Sequence, residues 1–162
     1  MSEPPGSIFF VRHAKAQLKR SRDDWARGLT PKGRRQFRSH AEKWAKTAHL
    51  RGIATSPWVR AVQTAEILAN ATGLDEVRIC AELAGEPGVA AKIVQLVRKL
   101  GSGWAVVGHN PSLARAAALA CGLKSLPVKL KKGSILELRV GRDGYALNSL
   151  SAIGRRPTGS LR

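Results

Sequence analysis

Short apolar runs alternate along the chain with longer stretches whose apolar residues recur at helical spacing. Residues 8–11 (Ile, Phe, Phe, Val) are apolar without interruption, which predicts a strand buried on both faces. A polar loop rich in Arg, Lys and Asp occupies residues 17–28. Thr30 followed by Pro31 predicts a helix start, with Thr as N-cap and Pro at the first helical position. Phe37, Ala41, Trp44, Ala45 and Ala48 give that helix one apolar face. Residues 52–55 predict a second strand. Ser56-Pro57 repeats the cap-and-proline signal for a helix to about Asn70, closed by Gly73, with Trp58, Ala61, Val62, Ala65 and Leu68 turned inward. Trp44 and Trp58 are read as core. Residues 77–80 predict a third strand, and Val89, Ile93, Leu96, Val97 and Leu100 form a helical stripe ended by Gly101. A fourth strand covers residues 104–107. Asn110-Pro111 opens an Ala-rich helix from Leu113 to Cys121, stopped by Gly122. Residues 134–140 alternate as a strand, and residues 145–150 pair back as a hairpin.

Strands alternating with helices define an α/β class, a three-layer α/β/α sandwich around a mostly parallel sheet. The reading places one domain over residues 1–150, with a small, polar, basic stretch at 151–162 expected to be a flexible tail.

Composition sets bounds. The 162 residues suffice for a core without disulfides or metal, and 43% hydrophobic with 24% charged residues is ordinary for a globular chain. The two cysteines, Cys80 and Cys121, sit in apolar surroundings with no zinc-type spacing, which predicts buried thiols in a reducing compartment. The opening residues lack a basic leader, and no apolar run approaches the roughly 20 residues of a membrane helix. The expectation is a cytoplasmic protein without membrane attachment. A formal net charge of +17 attracts anions of many kinds, while 5% aromatics supply few base-stacking surfaces.

Chemistry gathers at the carboxyl ends of the predicted strands, where such sheets hold ligands. The first strand ends in Arg12-His13, the second in Ser56-Pro57 with Arg60 shortly after, and the fourth in Gly108-His109. Guanidinium forks suit a tetrahedral phosphate lying between them. Neighbouring positive charge keeps an imidazole neutral and nucleophilic. Together these groups fit in-line phosphoryl transfer to a histidine.

Three motifs carry a family resemblance. Val11-Arg12-His13-Ala14 resembles the RHG signature of the histidine phosphatase superfamily, Ser56 through Ala65 matches its SPxxRAxQTA segment, and Val107-Gly108-His109-Asn110 matches its second-histidine motif. The resemblance spans residues 8–150 and implies a phosphoglycerate mutase-like fold. It makes His13 the nucleophile, Arg12 and Arg60 the holders of the phosphoryl oxygens, and His109 the stabiliser of the transferring group. Arg27, before the Leu29-Thr30 segment, resembles a loop arginine able to contact phosphate or to remain a solvated cation. Ala14 replaces the usual glycine. Glu82 is the positional match for the general acid, with Glu86 the runner-up; either could instead be a loop carboxylate paired with a cation.

Without a cap insertion, the short chain resembles the SixA-type phosphohistidine phosphatases. That implies an open site and a phosphorylated protein, such as a signalling histidine domain, as substrate. Small phosphoesters or polyphosphate are the alternative, and a basic polyanion-binding module with a vestigial site is a second one. Lys15, Lys19, Arg20, Arg22, Arg34, Arg35 and Arg38 flank the site in sequence, with Lys124, Lys129, Lys131 and Lys132 as a further cluster. They form either a solvated basic surface or a docking face for an acidic partner. No cofactor and no metal are expected, and His40 and His49 read as exposed.

Overall fold

The computed structural model describes residues 6–20, 22–156, 158 and 161. Residues 1–5, read above as lacking a basic leader, and residues 157, 159, 160 and 162 of the expected tail lie outside the described residues.

Six strands form one sheet: β1 (Ser7–Arg12), β2 (Gly52–Thr55), β3 (Arg78–Ile79), β4 (Trp104–Gly108), β5 (Ile135–Gly141) and β6 (Gly144–Ser151), in the order β3-β2-β4-β1-β5-β6. The first four in that order run parallel, and β5 and β6 return antiparallel as the predicted hairpin. Among the described residues four α-helices cover the sheet: α1 (Pro31–Trp44), α2 (Val59–Thr72), α3 (Ala90–Leu100) and α4 (Ser112–Ala120).

Strand periodicity divides the core in two. Ile8 and Phe10 of β1 face a cluster containing Ile93 and Val97 of α3 and Leu113 and Ala117 of α4. Phe9 and Val11 face the other, with Phe37 and Ala41 of α1 and Ala61, Ala65 and Leu68 of α2. The unbroken apolar character of β1 is thus a requirement of its central place, with helices on both sides. β3 is the exception: it lies at the edge, only two residues long, and both are exposed.

The three cap-and-proline signals resolve differently. Thr30 caps α1 as expected, accepting the Gly33 N–H at 2.9 Å. Ser56 caps nothing, because α2 starts only at Val59 and the Ser56 hydroxyl is engaged by His109 at 2.8 Å. Asn110 does not cap α4 either; its amide donates to the Leu130 carbonyl at 3.0 Å. Two of the three motifs are therefore diverted from helix capping to shaping one end of the sheet.

The expected tail makes defined contacts where it is described. Thr158 bridges to Leu150, Leu161 N–H donates to Asn148 at 2.9 Å, and Ile153 packs against the core that holds Phe37. The apolar side chains of Ile153 and Leu161, few as they are in that polar stretch, supply the anchoring.

Among the described residues no helix is long and apolar enough to cross a membrane, and no group of three or more His, Cys, Asp or Glu could hold a metal ion. Cys80 is buried and Cys121 half-buried; burial raises both thiols above their ordinary value.

Candidate active site

β1 and β4 are adjacent and parallel, so their ends bring Arg12-His13 and Gly108-His109 side by side: Arg12 pairs with Gly108, and His13 N–H donates to the Gly108 carbonyl at 3.1 Å. The two imidazole rings lie 5.1 Å apart, centre to centre, tilted by 51°. Both histidines are buried, at 7% and 5% exposure, which matters because a buried imidazole resists protonation. Burial is the main cause that pushes His13 down to about 4; Arg60, Arg12 and Lys132 act in the same direction, against the bond to the Ala14 carbonyl. Burial likewise pushes His109 down to about 3, with His13 and Arg60 adding to it and Asp24 opposing. Neighbouring charge, the cause expected from sequence, therefore comes second to desolvation.

Hydrogen bonds fix which ring nitrogen is free. Nδ1 of His13 lies 2.7 Å from the Ala14 carbonyl, an acceptor, so the proton sits on Nδ1 and the lone pair on Nε2. In His109 it is Nε2 that meets the Ser56 hydroxyl. Ser56 Oγ accepts the Trp58 N–H at 3.2 Å and has a proton of its own; given to Nε2, that proton leaves the one on His109 at Nδ1. That Nδ1 is buried with no hydrogen-bond partner among the described residues, as are Nε of Arg12 and Nε of Arg60. Buried polar nitrogens of this kind normally find a hydrogen-bond partner, and an oxyanion between them would serve as acceptor for each N–H.

The guanidiniums are held by their other nitrogens. Arg12 donates through Nη1 to the Leu130 carbonyl at 3.1 Å, the same oxygen that Asn110 binds. Arg60, 4% exposed, donates through Nη1 to the backbone carbonyl of Asp24 at 2.7 Å and pairs through Nη2 with the Asp24 carboxylate at 3.1 Å. Asp24 also pairs with Arg27 at 2.6 Å, and Arg27 donates on to the Gln17 carbonyl at 2.6 Å. Partial burial would raise the Asp24 carboxyl, but the bond from Arg27 and the charge of Arg60 outweigh it and hold it below its ordinary value.

Arg27 thus joins the cluster through a carboxylate that went unnoticed in the sequence. Its signal was legible: in a basic loop, Asp24 stands three residues before Arg27, the spacing of a local ion pair.

The block of residues 56–65 acquires a reason position by position. Ser56 orients His109. Trp58 is not a core residue, contrary to expectation: it is half-buried, its ring 4.7 Å from that of His109, with the Arg60 guanidinium 4.7 Å over it. Trp44 does pack edge-on against Phe9. Gln63 accepts the Leu29 N–H at 2.8 Å and so fastens the loop that carries Asp24 and Arg27. Thr64 donates to the Arg60 carbonyl at 2.7 Å and accepts the Ala14 N–H at 3.1 Å, joining α2 to the residue after His13. The sequence reading matched Gln63 and Thr64 without giving either a role. Three and four residues beyond Arg60, they share its helix face.

Glu82 lies on a short 3-10 turn (Ala81–Leu83) and is exposed; Glu86 is exposed as well, and its backbone carbonyl accepts from Ser112 at 3.0 Å. The segment they flank borders the site, since Gly85 lies against the Trp58 ring and the Leu83 carbonyl faces Gly108. His40 is half-buried rather than exposed, its Nε2 3.4 Å from the Ser151 hydroxyl, and burial pushes it down; His49 is exposed. Neither reaches the cluster.

Comparison with known proteins agrees with this architecture. A model of the histidine phosphatase superfamily (branch 1) matches residues 8–85. An uncharacterized protein of Picosynechococcus sp. (strain ATCC 27264 / PCC 7002 / PR-6) is 35% identical over 140 residues, covering 83% of this chain and 85% of that protein. The protein histidine phosphatase SixA complexed with tungstate superposes with a TM-score of 0.76 at 23% identity, over 90% of this chain and 96% of its own. A mycobacterial glucosyl-3-phosphoglycerate phosphatase complexed with VO3 does so with a TM-score of 0.72 at 21% identity, over 88% and 97%. The chain belongs to the histidine phosphatase superfamily and is an enzyme of its phosphatase class. Its fold is the phosphoglycerate mutase-like α/β fold.

Proposed function

We propose that this phosphatase works through a phosphohistidine formed on His13 and that its substrate is a phosphohistidine borne by a protein, as in the SixA type. One observation carries the chemistry: Nε2 of His13 keeps its lone pair because Nδ1–H is committed to the Ala14 carbonyl, beside three buried nitrogens (Nε of Arg12, Nε of Arg60 and Nδ1 of His109) without a hydrogen-bond partner among the described residues.

The phosphoryl oxygens are received by Nε of Arg12, Nε of Arg60 and Nδ1–H of His109. Nε2 of His13 attacks phosphorus in line, the bond from phosphorus to the leaving nitrogen breaks, and the leaving imidazole takes a proton from solvent. His13 is then phosphorylated on Nε2, with its Nδ1 proton still on the Ala14 carbonyl. Water attacks the phosphorus from the vacated side, the bond to His13 breaks, and inorganic phosphate departs with the water's oxygen. The neutral imidazole returns. The charge that builds on the oxygens is met by preorganised donors in a dry setting, where they act most strongly.

Two features support a protein-borne substrate. The cavities beside the cluster, about 570 Å³ over the Gln17–Thr30 loop and about 470 Å³ next to Arg12, both open to the surface. A phosphohistidine also has a leaving group that demands little acid help, in keeping with the exposed position of Glu82. The setting that fits such a substrate is the cytoplasm. Small phosphoesters are the second reading, favoured by Glu82 at the border of the site as the acid that an alcohol leaving group needs. A vestigial site accords poorly with so many bonds spent on orienting His13, His109 and Arg60. A turnover panel tests the proposal: a phosphohistidine protein, small phosphoesters and polyphosphate, each with wild type and His13→Ala. The first should turn over fastest, and only with His13 present; equal or faster turnover of a small ester would overturn the substrate assignment.

A further inference from the structure

Next to the candidate site a cavity of about 470 Å³ is walled by Arg12, Lys15, Lys129, Lys131 and Lys132, and among the described residues no carboxylate lines it. Arg12 is common to this cavity and to the phosphoryl-binding cluster. The two basic segments are held in place by the site's own backbone. Gly133 N–H donates to the Arg12 and His13 carbonyls at 3.0 and 3.1 Å, and Thr30 N–H donates to the Lys15 carbonyl at 3.0 Å. Gly133 sits at φ +75°, and a Cβ there would come within 2.6 Å of Ile153, so the end of the 129–133 segment is fitted to the core. The lysines therefore project from anchored backbone, while their side chains are exposed.

We infer that this cavity docks an acidic segment of the phosphorylated protein, receiving Asp and Glu side chains that flank the phosphoryl group while Arg12 and Arg60 hold the group itself. The inference rests on the phosphatase reading of His13 and adds the chemistry of the partner. Ammonium groups on flexible stems act as separate point charges. That suits carboxylates spread over a few residues better than one tetrahedral anion, which forked guanidiniums grip. Among the described residues no aromatic side chain lines the cavity, so a nucleic acid would find charge there but nothing to stack on. Exposed lysines of this kind govern encounter and partner choice more than the chemical step.

The test compares two phosphohistidine peptides that differ only in their flanks, Asp/Glu in one and Asn/Gln in the other. At low salt the wild type should favour the acidic peptide in kcat/KM by about tenfold or more, and screening by about 0.5 M salt should erase the preference. Lys129→Glu/Lys131→Glu should abolish or reverse it, as should Lys15→Glu from the other basic segment. An unphosphorylated acidic peptide should inhibit hydrolysis of p-nitrophenyl phosphate competitively, and its neutral counterpart should not. That readout does not depend on which phosphorylated compound is the natural substrate, whereas loss of all turnover in His13→Ala tests the His13 reading separately. Equal kcat/KM for the two peptides, or a preference that survives both variants, overturns the inference. Stronger inhibition by tripolyphosphate than by the acidic peptide also overturns it, assigning the cavity to a small polyanion.

Discussion

Asp24 bonds Arg60 at two points, with its backbone carbonyl to Nη1 and its carboxylate to Nη2, and leaves Nε as the guanidinium nitrogen of Arg60 that is buried without a partner among the described residues. The carboxylate thereby sets which edge of the fork is open to a further acceptor, the phosphoryl oxygen in the proposed function. It also counters the burial of a guanidinium that is only 4% exposed.

Replacing Asp24 with Asn keeps the backbone contact and weakens the charged one. A hydrogen bond to a charged group contributes about 1.5–3 kcal/mol, and the half-exposed setting of Asp24 reduces this. The expected outcome is a loss of about tenfold in kcat/KM on p-nitrophenyl phosphate with weaker inhibition by vanadate, against a larger loss for Arg60→Ala. Unchanged or tighter vanadate binding would mean that Asp24 competes with the phosphoryl group rather than positioning its receptor.

Ser56 stands between the backbone of Trp58 and the ring of His109. Ser56→Ala should remove the acceptor of the Trp58 N–H and free the His109 tautomer. The net cost in stability should be about 1 kcal/mol, for a lost neutral hydrogen bond. kcat should fall by about tenfold with little change in KM, because a stabilising donor misaligned in the transition state costs rate rather than binding. Steady-state kinetics on the purified variant checks this; a rise in KM alone would contradict it.

The two histidines make stability depend on pH. Both have folded values, about 4 and about 3, below the ordinary imidazole value of 6.5. The unfolded chain therefore binds protons before the folded one does, and stability falls as pH drops from about 6.5 toward 4 and then 3. Above pH 6.5 neither histidine contributes to the slope. Denaturant midpoints between pH 7 and 4 should decline less steeply in His109→Asn than in wild type. The acid limb of kcat/KM, corrected for the substrate's own ionisation near 6, should lie near pH 4 rather than 6.5.

Much of this was open to reading in the sequence, for identifiable reasons. β1 and β4 are unbroken apolar runs, α1 and α2 carry apolar faces at helical spacing, and the candidate site residues stand at or just beyond strand ends, where parallel topology gathers them. What escaped were bonds between side chain and backbone across loops: Asp24 to Arg60, Gln63 to Leu29, Thr64 to Ala14, Asn110 to Leu130. Periodicity records which face a residue occupies and is silent on which distant carbonyl it meets. Trp58 differs from its expected core position for the same reason. Its size argued for the core, but the helix begins after it, leaving its ring between His109 and Arg60.

Glu82 separates the two substrate readings. It is exposed in the segment that borders the site; on the proposed reading it would aid an alkoxide leaving group and be dispensable for an imidazole one. Glu82→Gln should slow hydrolysis of alkyl phosphoesters by at least about tenfold, within the usual range for a lost general acid, and leave phosphohistidine turnover within about twofold. Equal loss on both would assign Glu82 to binding rather than to proton transfer.

The most direct measurement is chemical capture of the intermediate. Wild type mixed with a 32P-labelled phosphorylated substrate and quenched in base within milliseconds should carry acid-labile, base-stable label on the peptide containing His13, on Nε2 of the ring. The labelled enzyme should lose it at a rate no slower than kcat, and His13→Ala should carry none. Rapid turnover without label on that peptide, or turnover that persists in His13→Ala, would contradict the account.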